Sequence, residues 1–208
     1  MSETNDLSPD ILEQVKKCAA VLRLGGIAAY PTDTVYGLGA DIHNDQAVAK
    51  VFAVKRRPLN LPLPVLICDQ SQLAELTEFV PASAGRLIAA FWPGALTIVF
   101  NKAPSFNSLV TAGSSKVAVR MPGHAITLHL MKEAGFPIVG TSANLHGRNS
   151  ILNAEEVRSQ LGAGIDCILD GGTCPGGTES TIVDVTNGAL TVQRKGAIPE
   201  EALMDLRD

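Results

Sequence analysis

The chain lacks most of the features that assign a function at once. Its four cysteines, at 18, 68, 167 and 174, form no Cys-x-x-Cys and no metal-ligand spacing, which leaves no zinc or dithiol motif. No secretory leader is expected, because Glu3, Asp6 and Asp10 fall where its apolar core would lie. The expectation is therefore a cytoplasmic protein with reduced thiols. No apolar run is long enough for a bilayer: the longest uncharged stretch, residues 87–100, is broken by Pro93-Gly94, so no membrane role is expected. A basic excess is also absent. Seventeen Lys and Arg stand against 21 Asp and Glu, a net charge of −4, which argues against broad nucleic-acid binding while leaving room for a local patch. There is no Gly-x-x-x-x-Gly-Lys-Ser/Thr, and the glycines around Gly37, Gly39, Gly171 and Gly172 do not complete a Gly-x-Gly-x-x-Gly. Internal repeats, low-complexity tracts and linkers are missing as well. With 208 residues, 46% of them hydrophobic, one domain over residues 1–208 can bury roughly 70% of its unfolded surface.

What the chain does contain is an alternation of periods. Ser8-Pro9 offers a helix N-cap and a first-turn proline, and Ile11, Leu12, Val15, Ala19 and Leu22 then share one helical face up to Gly25-Gly26. A short apolar run at 27–30 predicts a buried strand that opens into a loop over 32–39. Further helices are predicted over 45–56, 81–91, 125–134, 154–161 and 200–206. Further strands are predicted over 62–68, 96–100, 117–121, 138–140, 167–169, 182–185 and 190–193. This interleaving predicts an α/β fold, a twisted mixed sheet flanked by helices, with the closely spaced last strands pairing antiparallel.

Lys55-Arg56-Arg57 closes the helix over 45–56, just before Pro58. Three adjacent cations in an acidic chain repel one another unless an anion arrives, and phosphate is the usual small one. The alternative is a helix C-terminus that favours positive charge, with water screening the remainder. The other polar clusters sit at strand ends, where open α/β sheets bind ligands: Thr32-Asp33-Thr34, Arg120, Thr141-Ser142-Ala143-Asn144, Glu179-Ser180-Thr181 and Arg194-Lys195. Arg120 interrupts the apolar run 117–121 and needs a partner if buried, for which a substrate carboxylate is a candidate. His43, His124, His129 and His146 carry no metal spacing and read as structural, Trp92 reads as a packing anchor, and Asp33 is a weak metal candidate. Cys174 lies in the glycine-rich loop 171–177, which is expected to be exposed and to cover the site.

These segments together, Tyr30-Pro31-Thr32-Asp33-Thr34-Val35-Tyr36-Gly37-Leu38-Gly39, Lys55-x-Arg57-Pro58, Phe91-Trp92-Pro93-Gly94, Val119-Arg120-Met121-Pro122, Ser142-Ala143-Asn144 and Glu179-Ser180-Thr181, resemble the YrdC/TsaC family of threonylcarbamoyl-AMP synthases, in the family's order from about Gly25 to Gly196. The resemblance implies a YrdC/RibB-like fold with a deep positively charged groove. It also implies that ATP, L-threonine and bicarbonate are converted to L-threonylcarbamoyladenylate and pyrophosphate. A downstream threonylcarbamoyl transferase complex would use the product to modify the adenosine beside the anticodon of tRNAs that read codons beginning with A, with weak RNA contact allowed.

Carried over residue by residue, the resemblance puts Lys55 and Arg57 on the ATP phosphates as the catalytic cations. Leu59, Lys116, Ser142, Asn144, Ser150 and Arg194 join Lys55 on the nucleotide, and Thr32, Pro64, Arg120, Gly140 and Ser180 hold threonine. No protein metal ligand is implied, and Mg2+ is expected with ATP. The residue types suit the chemistry, since a carbamate must approach the α-phosphate while pyrophosphate leaves, and cations offset that repulsion. Ala95, Thr141, Pro64 and Lys116 depart from the family's common pattern, and the chain is expected to be the short, single-domain form. Two rivals remain: an RNA-binding module without catalysis, and a carbamoyl-adenylate-forming domain of a carbamoyltransferase.

Overall fold

The structure is a computed structural model that describes residues 7–204. Helix α1 spans Pro9–Arg23, capped by the Ser8 hydroxyl, which accepts from the Ile11 N–H. Its buried stripe of Val15, Cys18, Ala19 and Leu22 faces α5, Ala125–Ala134, and both helices cover one face of the strands β1, Ala28–Tyr30, and β8, Cys167–Ile168. Two strands fall inside segments that polarity and glycine content mark as loops. These are β2, Gly37–Gly39, and β7, Thr141–Ser142, and the first sheet has the order β7-β2-β1-β8. Tyr30 explains the Gly-Leu-Gly strand. Its ring crosses β2, where a Cβ on Gly37 would lie 2.4 Å from Tyr30 Cε2 and one on Gly39 2.7 Å from Cε1, and its hydroxyl donates to Val139 O at 2.6 Å.

The mixed sheet expected from the sequence is thus divided in two. The second sheet has six strands in the order β10-β9-β4-β5-β3-β6: β3 is Val65–Leu66, β4 Leu96–Asn101, β5 Lys116–Arg120, β6 Ile138–Val139, β9 Thr181–Asp184 and β10 Thr191–Arg194. The β9–β10 pair is antiparallel, as expected, whereas β4–β9 and β3–β5 are parallel. Helices α2, Asp45–Lys55, α4, Ala82–Phe91, and α6, Ala154–Leu161, contribute Val51, Phe52, Leu87, Ile88 and Val157 to a core cluster shared with both sheets. Two short helices, α3, Leu73–Leu76, and α7, Glu200–Met204, add Leu73, Leu76 and Leu203. The end of the predicted last helix, Leu206, lies outside the described residues. Trp92 is buried and its indole N–H donates to Leu96 O at 2.7 Å, which makes it the packing anchor that the sequence suggested.

Two cysteine expectations are corrected. Cys18 on α1 and Cys167 on β8 are joined as a disulfide, with their Cα atoms 5.6 Å apart, because the docking of α1 on the first sheet brings residues 149 positions apart face to face. Cys174 is buried, not exposed: its sulfur accepts from the Thr32 N–H at 3.4 Å, and Gly176 packs against the backbone of Asp33 and Thr34. The glycine-rich loop therefore underlies the Thr32 turn. No described helix is long and apolar enough to cross a membrane.

Candidate active site

The period of two in β5 builds the floor of the site. Val117 and Val119 enter the core, so Lys116, Ala118 and Arg120 face the other way, into a cavity of about 500 Å3. Val99 of β4, Ile182 of β9 and Gln193 and Arg194 of β10 line the same cavity. Its walls come from the C-terminus of α2, the segments 62–64 and 140–148, and the turn at Thr34-Val35. Six cations, Lys55, Arg57, Lys116, Arg120, Arg148 and Arg194, line it together with one carboxylate, Glu179. Distant segments thus converge in a chain whose net charge is negative.

Arg120 is 6% exposed and its guanidinium is held from three sides. Nε donates to Gly94 O at 2.9 Å, Nη1 to Thr34 Oγ1 at 3.0 Å, and Nη2 to Asp33 Oδ1 at 2.5 Å. Asp33 Oδ1 also accepts from the Gly123 N–H at 3.0 Å, so this oxygen is shared between the guanidinium and the backbone. Of the five N–H donors on a guanidinium, one on each terminal nitrogen remains for a ligand. Thr32 does not line the cavity. Its hydroxyl accepts from the N–H groups of Thr34 and Val35, both at 3.1 Å, and lies 2.9 Å from Thr34 Oγ1. The turn sets Thr34, which the sequence reading missed, against Arg120.

Lys55 is 2% exposed. Its ammonium donates to the carbonyls of Ser142 and Asn144, the latter at 2.7 Å, and to Asn144 Oδ1 at 3.4 Å. Burial and the nearby Arg57 charge lower its pKa from 10.5 to about 8, while Glu179 acts in the opposite sense. Burial lowers the Arg57 pKa too, against the stabilising charge of Glu179. Arg57 donates to the carbonyls of Leu61 and Pro62 at 3.1 and 2.9 Å, bracing the segment before β3. Arg56, the middle cation, takes the left-handed conformation that ends α2, with φ 52°, and lies on the surface. The triplet accordingly splits, two members into the cavity and one to water.

The remaining expected residues divide similarly. Ser142, Asn144, Gly140, Pro64, Lys116, Ser180 and Arg194 line the cavity with Lys55, Arg57 and Arg120. Gly140 donates to Pro64 O at 2.8 Å, and a Cβ there would lie 2.5 Å from Leu66 Cγ, so only glycine fits between these strands. Lys116 donates to Asp184 Oδ2 at 2.7 Å, a pairing unforeseen from sequence because Asp184 is 68 residues away. Ser180 Oγ lies 2.8 Å from Thr97 Oγ1 and accepts from Arg194 Nη2 at 3.1 Å. Leu59 is 60% exposed on the turn after Arg57, outside the lining. Ser150 is also outside it and donates to Glu179 Oε1 at 2.8 Å. Arg148, His146 and Glu179 line the cavity without having been singled out as ligands. Their signal was their place beside motif residues, the first two after Asn144 and the last before Ser180. Among the described residues no group of three or more His, Cys, Asp or Glu is placed to hold a metal ion.

Comparison with known proteins bears on this site. A family model named for Sua5, YciO and YrdC, and described as telomere recombination, matches residues 20–196. The chain is 43% identical over 191 residues to a threonylcarbamoyl-AMP synthase of Bacillus subtilis, covering 91% of this chain and 55% of that protein. It is 35% identical over 167 residues to the Idiomarina loihiensis protein of that name, covering 79% of this chain and 90% of that one. Among solved structures, Pyrococcus abyssi Sua5 complexed with L-threonine superposes with a TM-score of 0.91 at 37% identity, over 94% of this chain and 57% of that one. The chain thus spans about half the length of the first curated relatives it matches. A full-length HypF structure, at 23% identity and TM-score 0.78, shares the fold alone.

Proposed function

The chain belongs to the family of Sua5, YciO and YrdC, and from that premise we propose that it is a threonylcarbamoyl-AMP synthase, a nucleotidyltransferase that makes L-threonylcarbamoyladenylate and pyrophosphate from L-threonine, bicarbonate and ATP. The observation that carries this reading is the convergence of six cations on one cavity, with Arg120 keeping a donor on each terminal nitrogen. Arg120 would take threonine's carboxylate through those two donors, with Ser180 and Thr34 beside it. Lys55, Arg57 and Arg194 would line the path of the triphosphate. Ser142 and Asn144, fixed by Lys55, would border the nucleotide.

In this reading catalysis is positional and electrostatic. Threonine's amine and bicarbonate form a carbamate as the new N–C bond replaces a C–O bond of bicarbonate, whose oxygen leaves as water; one carbamate oxygen then bonds to the α-phosphorus, and the bond from that phosphorus to the bridging oxygen of pyrophosphate breaks. The chain's task is to hold anions together, each charge-assisted hydrogen bond contributing about 1.5–3 kcal/mol. Magnesium enters as part of the MgATP substrate. Glu179 and Asp33 are both engaged by arginines, and no resident metal is assigned. The downstream partner is a transferase complex acting on tRNA, in the cytoplasm, and any RNA contact of this chain is weak at a net charge of −4.

The test is a pyrophosphate-release assay on purified protein. Release is expected only when threonine and bicarbonate are both present with MgATP, and the adenylate product carries both. Turnover indifferent to threonine would sink the reading and favour a carbamoyl-adenylate domain.

A further inference from the structure

Among the described residues Glu179 is the one carboxylate in the cavity lining, whereas Asp33 and Asp184 pair with Arg120 and Lys116 from outside it. One Glu179 oxygen accepts from the Ser150 hydroxyl at 2.8 Å, and the other receives Arg194 Nη1 in an ion pair. The rest of the Arg194 head is tied to the same stretch of chain, with Nε and Nη2 donating to Ser180 O at 3.2 and 2.8 Å. The charge of Glu179 also stabilises the protonated forms of Lys55 and Arg57. Its reach thus covers the cations on the proposed triphosphate path, and it does what a bound phosphate would do.

Resting on the function proposed above, we propose that Glu179 is a resident counter-anion that occupies Arg194 in the phosphate subsite before nucleotide arrives and limits how tightly pyrophosphate is kept. Lys55, Arg57 and Arg194 are each held in place by chain carbonyls, and their like charges repel one another across a partly desolvated space. Glu179 offsets that repulsion and orients Arg194 through its ion pair. When a phosphate oxygen enters, it competes with the Glu179 carboxylate for Arg194, while the Ser150 hydroxyl, outside the lining, keeps its hold on the other carboxylate oxygen. The like charge of Glu179 then weakens the hold on the anion, which favours departure of the pyrophosphate leaving group. Glu179 is a positioning residue in this role, since its contacts are to cations and a hydroxyl of the chain and it acts through Arg194.

Titration calorimetry with inorganic pyrophosphate tests this on the intact chain, comparing the parent with Glu179→Gln, which keeps the shape and removes the charge, and Glu179→Asp, which keeps the charge. Glu179→Gln is expected to bind pyrophosphate on the order of tenfold more tightly at low salt, the gain shrinking as salt rises, with Glu179→Asp close to the parent. In turnover, Glu179→Gln is expected to show stronger product inhibition by pyrophosphate. Equal or weaker binding by a folded Glu179→Gln, judged by an unchanged circular dichroism spectrum, overturns the proposal. So does a loss of affinity confined to magnesium-containing buffer, which would make Glu179 a metal ligand. If Glu179→Gln does not fold, Glu179→Ser serves in its place under the same criteria. A parent that binds neither pyrophosphate nor ATP removes the functional reading as well, whereas a parent that binds both with unchanged affinity in the variants removes this inference alone.

Discussion

In the proposed function, Lys55 joins two demands that pull against each other: it is buried where it braces the Ser142–Asn144 segment, and it would have to be charged to attract phosphate. Burial and Arg57 bring its pKa to about 8 from 10.5. Because the folded value is the lower one, the unfolded chain holds more protons between those two values, so this residue's contribution to stability improves as pH rises from about 8 to 10.5. Anion binding runs the other way, since the protonated form is the one that attracts phosphate. Pyrophosphate affinity is therefore expected to fall above about pH 8, by up to about tenfold per pH unit, and Lys55→Met is expected to lack that loss. Calorimetry of both proteins across the range checks it, with the ligand's own titration cancelling in the difference; parallel profiles would remove Lys55 from the phosphate path. In the synthase assay Lys55→Ala is expected to lose on the order of 30- to 1000-fold in rate. The sequence could place this cation beside a phosphate but could not show that carbonyls nearly ninety residues away take its ammonium.

At the scale of elements, β2 shows where sequence reading stops. Its Gly-Leu-Gly has neither the alternation nor the β-branched content that marks a strand, and its reason lies in Tyr30, seven residues earlier, whose ring needs both glycines bare. By contrast α1, α2, α4, α5 and α6 were legible because an apolar face repeating every 3.6 residues, and in α1 the Ser8 cap, are local properties. β5 was legible in its bounds as an apolar run, while the alternation that divides its core side from its cavity side came from the structure. Thr34 and Glu179 stood in polar clusters that the sequence marked, but not as ligand-site residues in their own right, because their contacts with Arg120 and Arg194 are made across the fold. Gly37→Ala is expected to displace the Tyr30 ring and cost about 1–3 kcal/mol, an overpacking effect. Tyr30→Phe is expected to cost about 1 kcal/mol or somewhat more, leaving the Val139 carbonyl without that donor. Urea denaturation of the two variants checks both values, and a Gly37→Ala protein as stable as the parent would show that the ring has room to move.

Across the whole molecule, the cavity draws its lining from both sheets, which core packing also joins. Ser142 belongs to the four-stranded sheet, Arg120 and Arg194 belong to the six-stranded one, and Lys55 ties the first to the end of α2. A triphosphate that touches these groups together binds only when both sheets are formed, so its binding energy stabilises the fold as a unit. At a ligand concentration a hundredfold above Kd that linkage amounts to about 2.7 kcal/mol. For a chain of this size it corresponds to a rise in Tm of roughly 5–10 °C. One cooperative transition is expected in scanning calorimetry, moving upward as a whole with ATP or pyrophosphate, because one apolar cluster contains residues of both sheets and leaves no seam between them. Two transitions, with only one of them responding to ligand, would mean that the sheets unfold separately and that the cavity draws its cations from one of them alone.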